Sequence, residues 1–195
     1  MSESASGWAI RLDEIGKRFD GRWVLRNVSL TVPSRGIVAV TGPSGSGKTT
    51  LARLAVKLDL PTEGVVRHHP GLTRSVLFAE DRLLPELSIR RNLAYVGLTA
   101  EEYEPLADRL GLAGQLDAVP AELSSGMNRR VAFMRAIGHP AGVVLLDEPF
   151  KGLDDPLRDR LAEEIRRRSH ESAVILIDHD TSLVGDLADR HLSLR

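Results

Sequence analysis

A strand, a glycine-rich turn and a helix follow one another between residues 36 and 56, and that order most constrains the fold. Gly36-Ile37-Val38-Ala39-Val40-Thr41 is an apolar, β-branched run, the pattern of a strand buried on both faces of a parallel sheet. Residues 42–50 then read Gly-Pro-Ser-Gly-Ser-Gly-Lys-Thr-Thr. Gly42, Gly47, Lys48 and Thr49 fill the pattern GxxxxGK[ST]. Small residues let the backbone turn tightly, so that successive N–H groups point inward at phosphate oxygens. Lys48 adds a mobile positive charge for the β- and γ-phosphates, and the Thr49 hydroxyl suits Mg²⁺. Thr49 to Val56 alternates as an amphipathic helix, whose N-terminus adds partial positive charge. A flexible loop would account for the glycines but not for the strand before them or the helix after. The segment predicts a nucleoside triphosphate site walled by Gly42, Pro43, Ser44, Gly45, Ser46, Gly47, Lys48, Thr49 and Thr50.

The chain of 195 residues fits one domain, or one domain with an inserted subdomain. Its formal net charge is −1, so nothing global points to nucleic acid or a lipid surface, and no nucleic-acid partner is expected. It has no cysteine, which excludes disulfides, thiolate catalysis and cysteine metal sites. No stretch approaches the roughly 18 apolar residues of a membrane span. Met1 to Gly7 is polar, lacks the apolar core of a signal peptide, and reads as a frayed tail. The expectation is a cytoplasmic protein that meets the membrane's inner face only through a partner.

Trp8–Leu12 and Val24–Val32 read as strands around a turn at Asp20-Gly21. Val65–Arg67 and Ser75–Phe78 are short strands. From Asp81 to Pro140 the pattern turns helical, with Asn92–Val96, Ala100–Leu110 and Ser125–Ile137 as candidates. Strands return at Val143–Leu146 and Ala173–Ile177. Between them Pro156–Arg168 reads as a helix capped by Asp155, with Pro156 first and arginines in its last turn. An α/β core over about 8–80 and 141–195, interrupted by a helical subdomain over about 81–140, is the predicted architecture.

Val143-Val144-Leu145-Leu146-Asp147-Glu148 is an apolar strand that ends in two acids. Such a strand delivers Asp147 to the carboxyl edge of the sheet, where α/β sheets bind ligands. Asp147 is a candidate Mg²⁺ ligand with Thr49. Glu148 is placed to polarise a water that attacks the γ-phosphate. Leu123-Ser124-Ser125-Gly126-Met127 precedes an arginine-rich helix and offers an anion-binding helix start, although alone it reads as an ordinary cap. His179 follows a buried strand. The paired His68 and His69 read as a loop without a metal role, and His139, His170 and His191 as surface residues.

This order of motifs resembles the nucleotide-binding ATPase subunit of ABC transporters, over roughly Ile10 to Leu194. Gly42–Thr49 matches the Walker A motif and Val143–Glu148 the Walker B motif with its catalytic Glu148. Leu123–Met127 matches the LSGGQ signature, with Ser125 at a usual Gly and Met127 at the usual Gln. Gly152-Leu153-Asp154 matches the D-loop, and His179 the switch histidine. Phe19 stands where the family has an aromatic that stacks on adenine. Phe78–Pro85 is similar to the Q-loop stretch of nitrate, sulfonate and taurine importers, but Ala79 replaces the defining Gln.

The resemblance implies a P-loop NTPase core with an N-terminal antiparallel β part and an inserted α-helical subdomain. It implies ATP and Mg²⁺ as ligands, and ATP hydrolysis that drives a separate integral membrane permease, in the direction of import. ATP would be sandwiched between Lys48 of one subunit and Ser124, Ser125, Gly126 and Met127 of a second ATPase subunit, in a homodimer. An extracytoplasmic solute-binding protein would act through the permease. No C-terminal regulatory domain is expected. The alternatives are a soluble ABC ATPase of DNA repair or translation, or a regulatory nucleotide-binding protein that does not turn over. The first lacks support because no coiled-coil insertion or basic arm is present. Ala79 and Met127 favour the second, whereas Lys48, Asp147, Glu148 and His179 oppose it.

Overall fold

The computed structural model describes residues 7–179 and 181–194, without the side chains of Thr181 and Ser182. The tail expected at the N-terminus lies outside the described residues for positions 1–6. In chain order the elements are β1 (Trp8–Phe19), β2 (Arg22–Pro33), β3 (Gly36–Thr41), α1 (Lys48–Ala55), β4 (Glu63–His68), β5 (Arg74–Leu77), α2 (Ile89–Tyr95), α3 (Ala100–Arg109), α4 (Ser125–Gly138), β6 (Val143–Asp147), α5 (Asp155–Ser169), β7 (Ala173–Ile177), α6 (Thr181–Leu187) and β8 (Arg190–Ser193).

Two sheets carry the fold. An antiparallel sheet has the order β2-β1-β4, and a five-stranded sheet has the order β5-β6-β7-β3-β8. Every pairing in the second sheet is parallel. The continuous apolar runs are explained by burial on both faces. Ile37, Ala39, Val144, Leu146, Val174 and Leu176 face one core, shared with α2 to α6. Val38, Val40, Val143, Leu145, Ile175 and Ile177 face the other, shared with α1 and the antiparallel sheet. Each of these Val, Ile and Leu side chains taken from water is worth about 1.5–3 kcal/mol, so a polar substitution in these runs would break the sheet's seat.

The first two strands are longer than their apolar stretches predict. β1 and β2 stay paired to Phe19 opposite Arg22, because main-chain pairing carries the hairpin past its buried part to the Asp20-Gly21 turn. The helix expected from Pro156 begins at Asp155, and its cap is Asp154, whose Oδ1 accepts from the Leu157 N–H at 3.2 Å. Pro156 is then second in the helix, where its missing N–H would have had no intrahelical partner. Elements α6 and β8 carry no continuous apolar run and were not expected. β8 completes the sheet edge against β3. Helices α2 to α4 fill the stretch between β5 and β6, and their Leu93, Leu106 and Phe133 enter the same core as Val144. His139 is half-buried rather than at the surface, with Nδ1 at 2.9 Å from the Val96 carbonyl.

Candidate functional site

The carboxyl ends of β3, β6 and β7 meet the start of α1. Gly47 makes this junction possible. It stands at φ 92 and ψ 13 before α1, without a side-chain cap. A Cβ there would meet Leu25 Cδ2 at 2.8 Å, so both conformation and space call for glycine. The first N–H groups of α1 therefore stay available to a ligand. Lys48 is 6% exposed, and its ammonium donates to the carbonyls of Gly42 and Pro43, each at 2.8 Å. The loop thus holds the charge that its own backbone donors share.

A pocket of about 270 Å³ is lined by Ser44, Gly45, Gly47, Lys48, Thr49 and Thr50, together with Asp147, Glu148 and His179. Nine of the residues singled out in the sequence come together there. Val24 and Ile177 complete the wall. Neither carries a polar group, so no motif could have marked them. Gly42 and Pro43 serve from behind, through the carbonyls on Lys48. Ser46 turns to a second cavity of about 870 Å³ beside Trp23 and Leu194.

Thr49 Oγ1 donates to Asp147 Oδ2 at 3.1 Å. Burial pushes the Asp147 carboxyl above the ordinary carboxylate range, partly offset by the Thr49 hydroxyl, while the neighbouring Glu148 adds to the rise. A buried carboxylate beside a hydroxyl is a hard oxygen pair that a divalent cation would relieve of its desolvation cost. Among the described residues no group of three or more His, Asp or Glu forms a metal cage. Mg²⁺ needs none, since it takes one or two protein oxygens and leaves the rest to phosphate and water. The residues present fit that ion.

Glu148 is held in an unusual way. Its φ is 51, a left-handed conformation that costs a non-glycine residue about 1–3 kcal/mol and clusters at functional sites. Its N–H donates to the Ile177 carbonyl at 2.8 Å. His179 Nε2 lies 2.7 Å from Oε1, and the Lys151 ammonium 3.5 Å from Oε2. The carboxylate is thereby aimed between the end of β7 and the phosphate loop.

The remaining candidates stand elsewhere in the chain's own fold. Ser124 caps α4, its hydroxyl accepting from the Met127 N–H at 3.2 Å. Ser124 and Ser125 are exposed, and Met127 packs against the core. Gly126 borders the turn that leads to Asp154, since a Cβ there would lie 3.6 Å from the Gly152 carbonyl. Phe19 is 44% exposed at the hairpin end, with the Lys17 ammonium 4.8 Å from its ring centre. Ala79 offers only its main chain. The adjacent Glu80 pairs at the surface with Arg82 at 3.1 Å and does not line the pocket, although its charge adds to the rise at Asp147.

The family profile described as ABC transporter matches residues 25–151. The chain is 38% identical over 193 residues to the aliphatic sulfonates import ATP-binding protein SsuB 3 of Nocardia farcinica, covering 96% of this chain and 77% of that one. It is 37% identical over 191 residues to the zinc import ATP-binding protein ZnuC of Brucella abortus, covering 95% of this chain and 64% of the relative. A solved structure described as the ATP binding subunit of an ABC transporter superposes with a TM-score of 0.87 at 24% identity, over 96% of this chain and 86% of that one. That likeness bears on the fold. Profile and relatives together place the chain: it belongs to the ABC transporter family, as an ATP-binding domain.

Proposed function

We propose that this chain is the ATP-hydrolysing subunit of an importer, working through a separate membrane permease. The relatives named for sulfonate and zinc import support the direction. One observation carries the chemistry: the phosphate loop, the Thr49–Asp147 pair and the Glu148–His179 pair line a single pocket. Lys48 and the backbone donors of residues 44–50 hold the β- and γ-phosphates, and Phe19 stacks on the base. Thr49 and Asp147 hold Mg²⁺, which when bound neutralises phosphate charge. Glu148 takes a proton from water as the water oxygen bonds to the γ-phosphorus. The bond to the bridging oxygen breaks, ADP leaves, and the proton passes to product or solvent. His179 orients Glu148 and the incoming water.

A second copy of the chain completes the site. Ser124 and Ser125 are exposed at the start of α4, where an anion gains from helix-end donors. They do not line the pocket of their own chain, which is what a site closed in trans requires. No helix among the described residues is long and apolar enough to cross a membrane, and the relatives named as import ATP-binding proteins support a permease as the partner. A groove of about 710 Å³ between β5 and α4, with Phe78, Arg82, Leu84, Tyr95 and Arg135 on its wall, suits that partner. Tyr95 is 72% exposed there. An extracytoplasmic binding protein would act only through the permease.

Steady-state hydrolysis by the wild type and Glu148→Gln tests the reading. Turnover is expected to fall about 10²- to 10⁴-fold, the usual worth of a general base, with ATP binding retained. Hydrolysis at the wild-type rate in the variant would remove Glu148 from this role.

A further inference from the structure

We infer that Arg129 is a positioning residue that couples the loop after β5 to Glu148. Its side chain is 4% exposed, in the first turns of α4, and the phosphate pocket does not use it. One edge of its guanidinium serves the loop after β5. Nη1 donates to the Phe78 carbonyl at 2.6 Å and the Ala79 carbonyl at 3.5 Å, and lies 3.2 Å from Asp81 Oδ1. The other edge serves the end of β6. Nη2 donates to the carbonyl of Asp147 and, at 2.7 Å, to that of Glu148.

Those last two carbonyls bracket the left-handed backbone of Glu148. Such a conformation persists only where its surroundings over-determine it. Nη2 reaches both carbonyls while Nη1 of the same rigid plane holds the loop after β5, and a lysine, with one compact charge, would not serve both sides. Loss of the guanidinium would also take this donor from the Asp147 carbonyl and leave the Glu148 carbonyl to the Lys151 N–H at 3.3 Å. The loop side carries the second half of the argument. Ala79 has no polar side-chain atom, so its link to the hydrolytic pair runs through its carbonyl and Arg129. The same loop leads into the groove lined by Phe78, Arg82 and Leu84. A shift of that loop or of α4 is thus passed to the Glu148 backbone by one rigid group. The inference rests on Glu148 being the base proposed above.

The test uses the full chain with Arg129→Met and Arg129→Lys, each checked for a cooperative thermal transition. Binding of a fluorescent ATP analogue is expected to stay within about twofold, while kcat falls at least about tenfold in both variants. Amide exchange at Glu148, whose N–H donates to Ile177, is expected to quicken by about tenfold in nucleotide-free protein. Wild-type kcat and exchange in a folded variant would overturn the inference. So would affinity lost in step with kcat, which marks general support of the fold. If Arg129→Met does not fold, Arg129→Lys and Asp81→Asn carry the same expectations, the latter at smaller amplitude. Glu148→Gln run alongside separates the two ideas. Full activity there sinks the base assignment, whereas its inactivity beside wild-type Arg129 variants sinks the coupling alone.

Discussion

Asp147 shows what a single residue contributes at this site. It is 6% exposed, and burial lifts its carboxyl above the ordinary range. The folded chain therefore keeps that proton to a higher pH than the unfolded chain does. Stability from this group is fully present in acid, and it is lost as pH rises from the unfolded value through the raised folded one. Once ionised above that range, the desolvated carboxylate is a net burden on the nucleotide-free protein. Asp147→Asn, neutral throughout, is expected to raise the melting temperature without nucleotide by about 2–4 °C at neutral pH, as for a small stability gain in a chain of this length. The gain should vanish in acid, and Mg²⁺-dependent hydrolysis should be lost. Calorimetry across pH with and without Mg²⁺-ATP checks the sign. A lower melting temperature for the variant at neutral pH would contradict the burial argument.

At the scale of the element, helix starts carry two duties that substitution can separate. Ser124 caps α4 through the Met127 N–H, and it is proposed to meet a second copy's ATP. A cap serine changed to alanine costs about 1 kcal/mol, but changed to glycine only a few tenths. Ser124→Ala is therefore expected to lower both the melting temperature and the rate, while Ser124→Gly lowers the rate alone. Equal rates in wild type and Ser124→Gly would leave the hydroxyl as a cap only. The same helix explains why Arg129 was not singled out among the sequence motifs. It stands on the buried stripe of α4 with Ala132, Phe133 and Ala136. That stripe is legible as helical periodicity, but a charge on it names no partner. Its acceptors are main-chain atoms, which carry no residue signature.

For the whole molecule, the separation of the signature from the phosphate loop makes a prediction about stoichiometry. Chains carrying Lys48→Ala and chains carrying Gly126→Asp should each be inactive. Space exists for the latter, because a Cβ at Gly126 has no contact closer than 3.6 Å. Mixed, half the dimers would be hybrid, and each hybrid would hold one intact composite site of two. Recovery to about a quarter of the wild-type rate is expected for a symmetric pair that shares its sites. No recovery in verified hybrid dimers would mean that each chain closes its own site.

Much of this protein is legible in its residues alone, for a definite reason. The P-loop, the buried strand before it and the acids at the end of β6 are local patterns. Backbone geometry, phosphate chemistry and burial on two faces each demand particular residue types at short spacing. What they cannot encode is adjacency. Thr49 reaches Asp147 across 98 residues, and His179 reaches Glu148 across 31. Those meetings depend on β6, β7 and β3 lying side by side. Periodicity tells which face of a strand is buried, but not which strand lies next to it. The left-handed Glu148, the Arg129 bridge and the edge strand β8 were decided by the tertiary structure, because each is held by main-chain groups supplied from elsewhere in the fold.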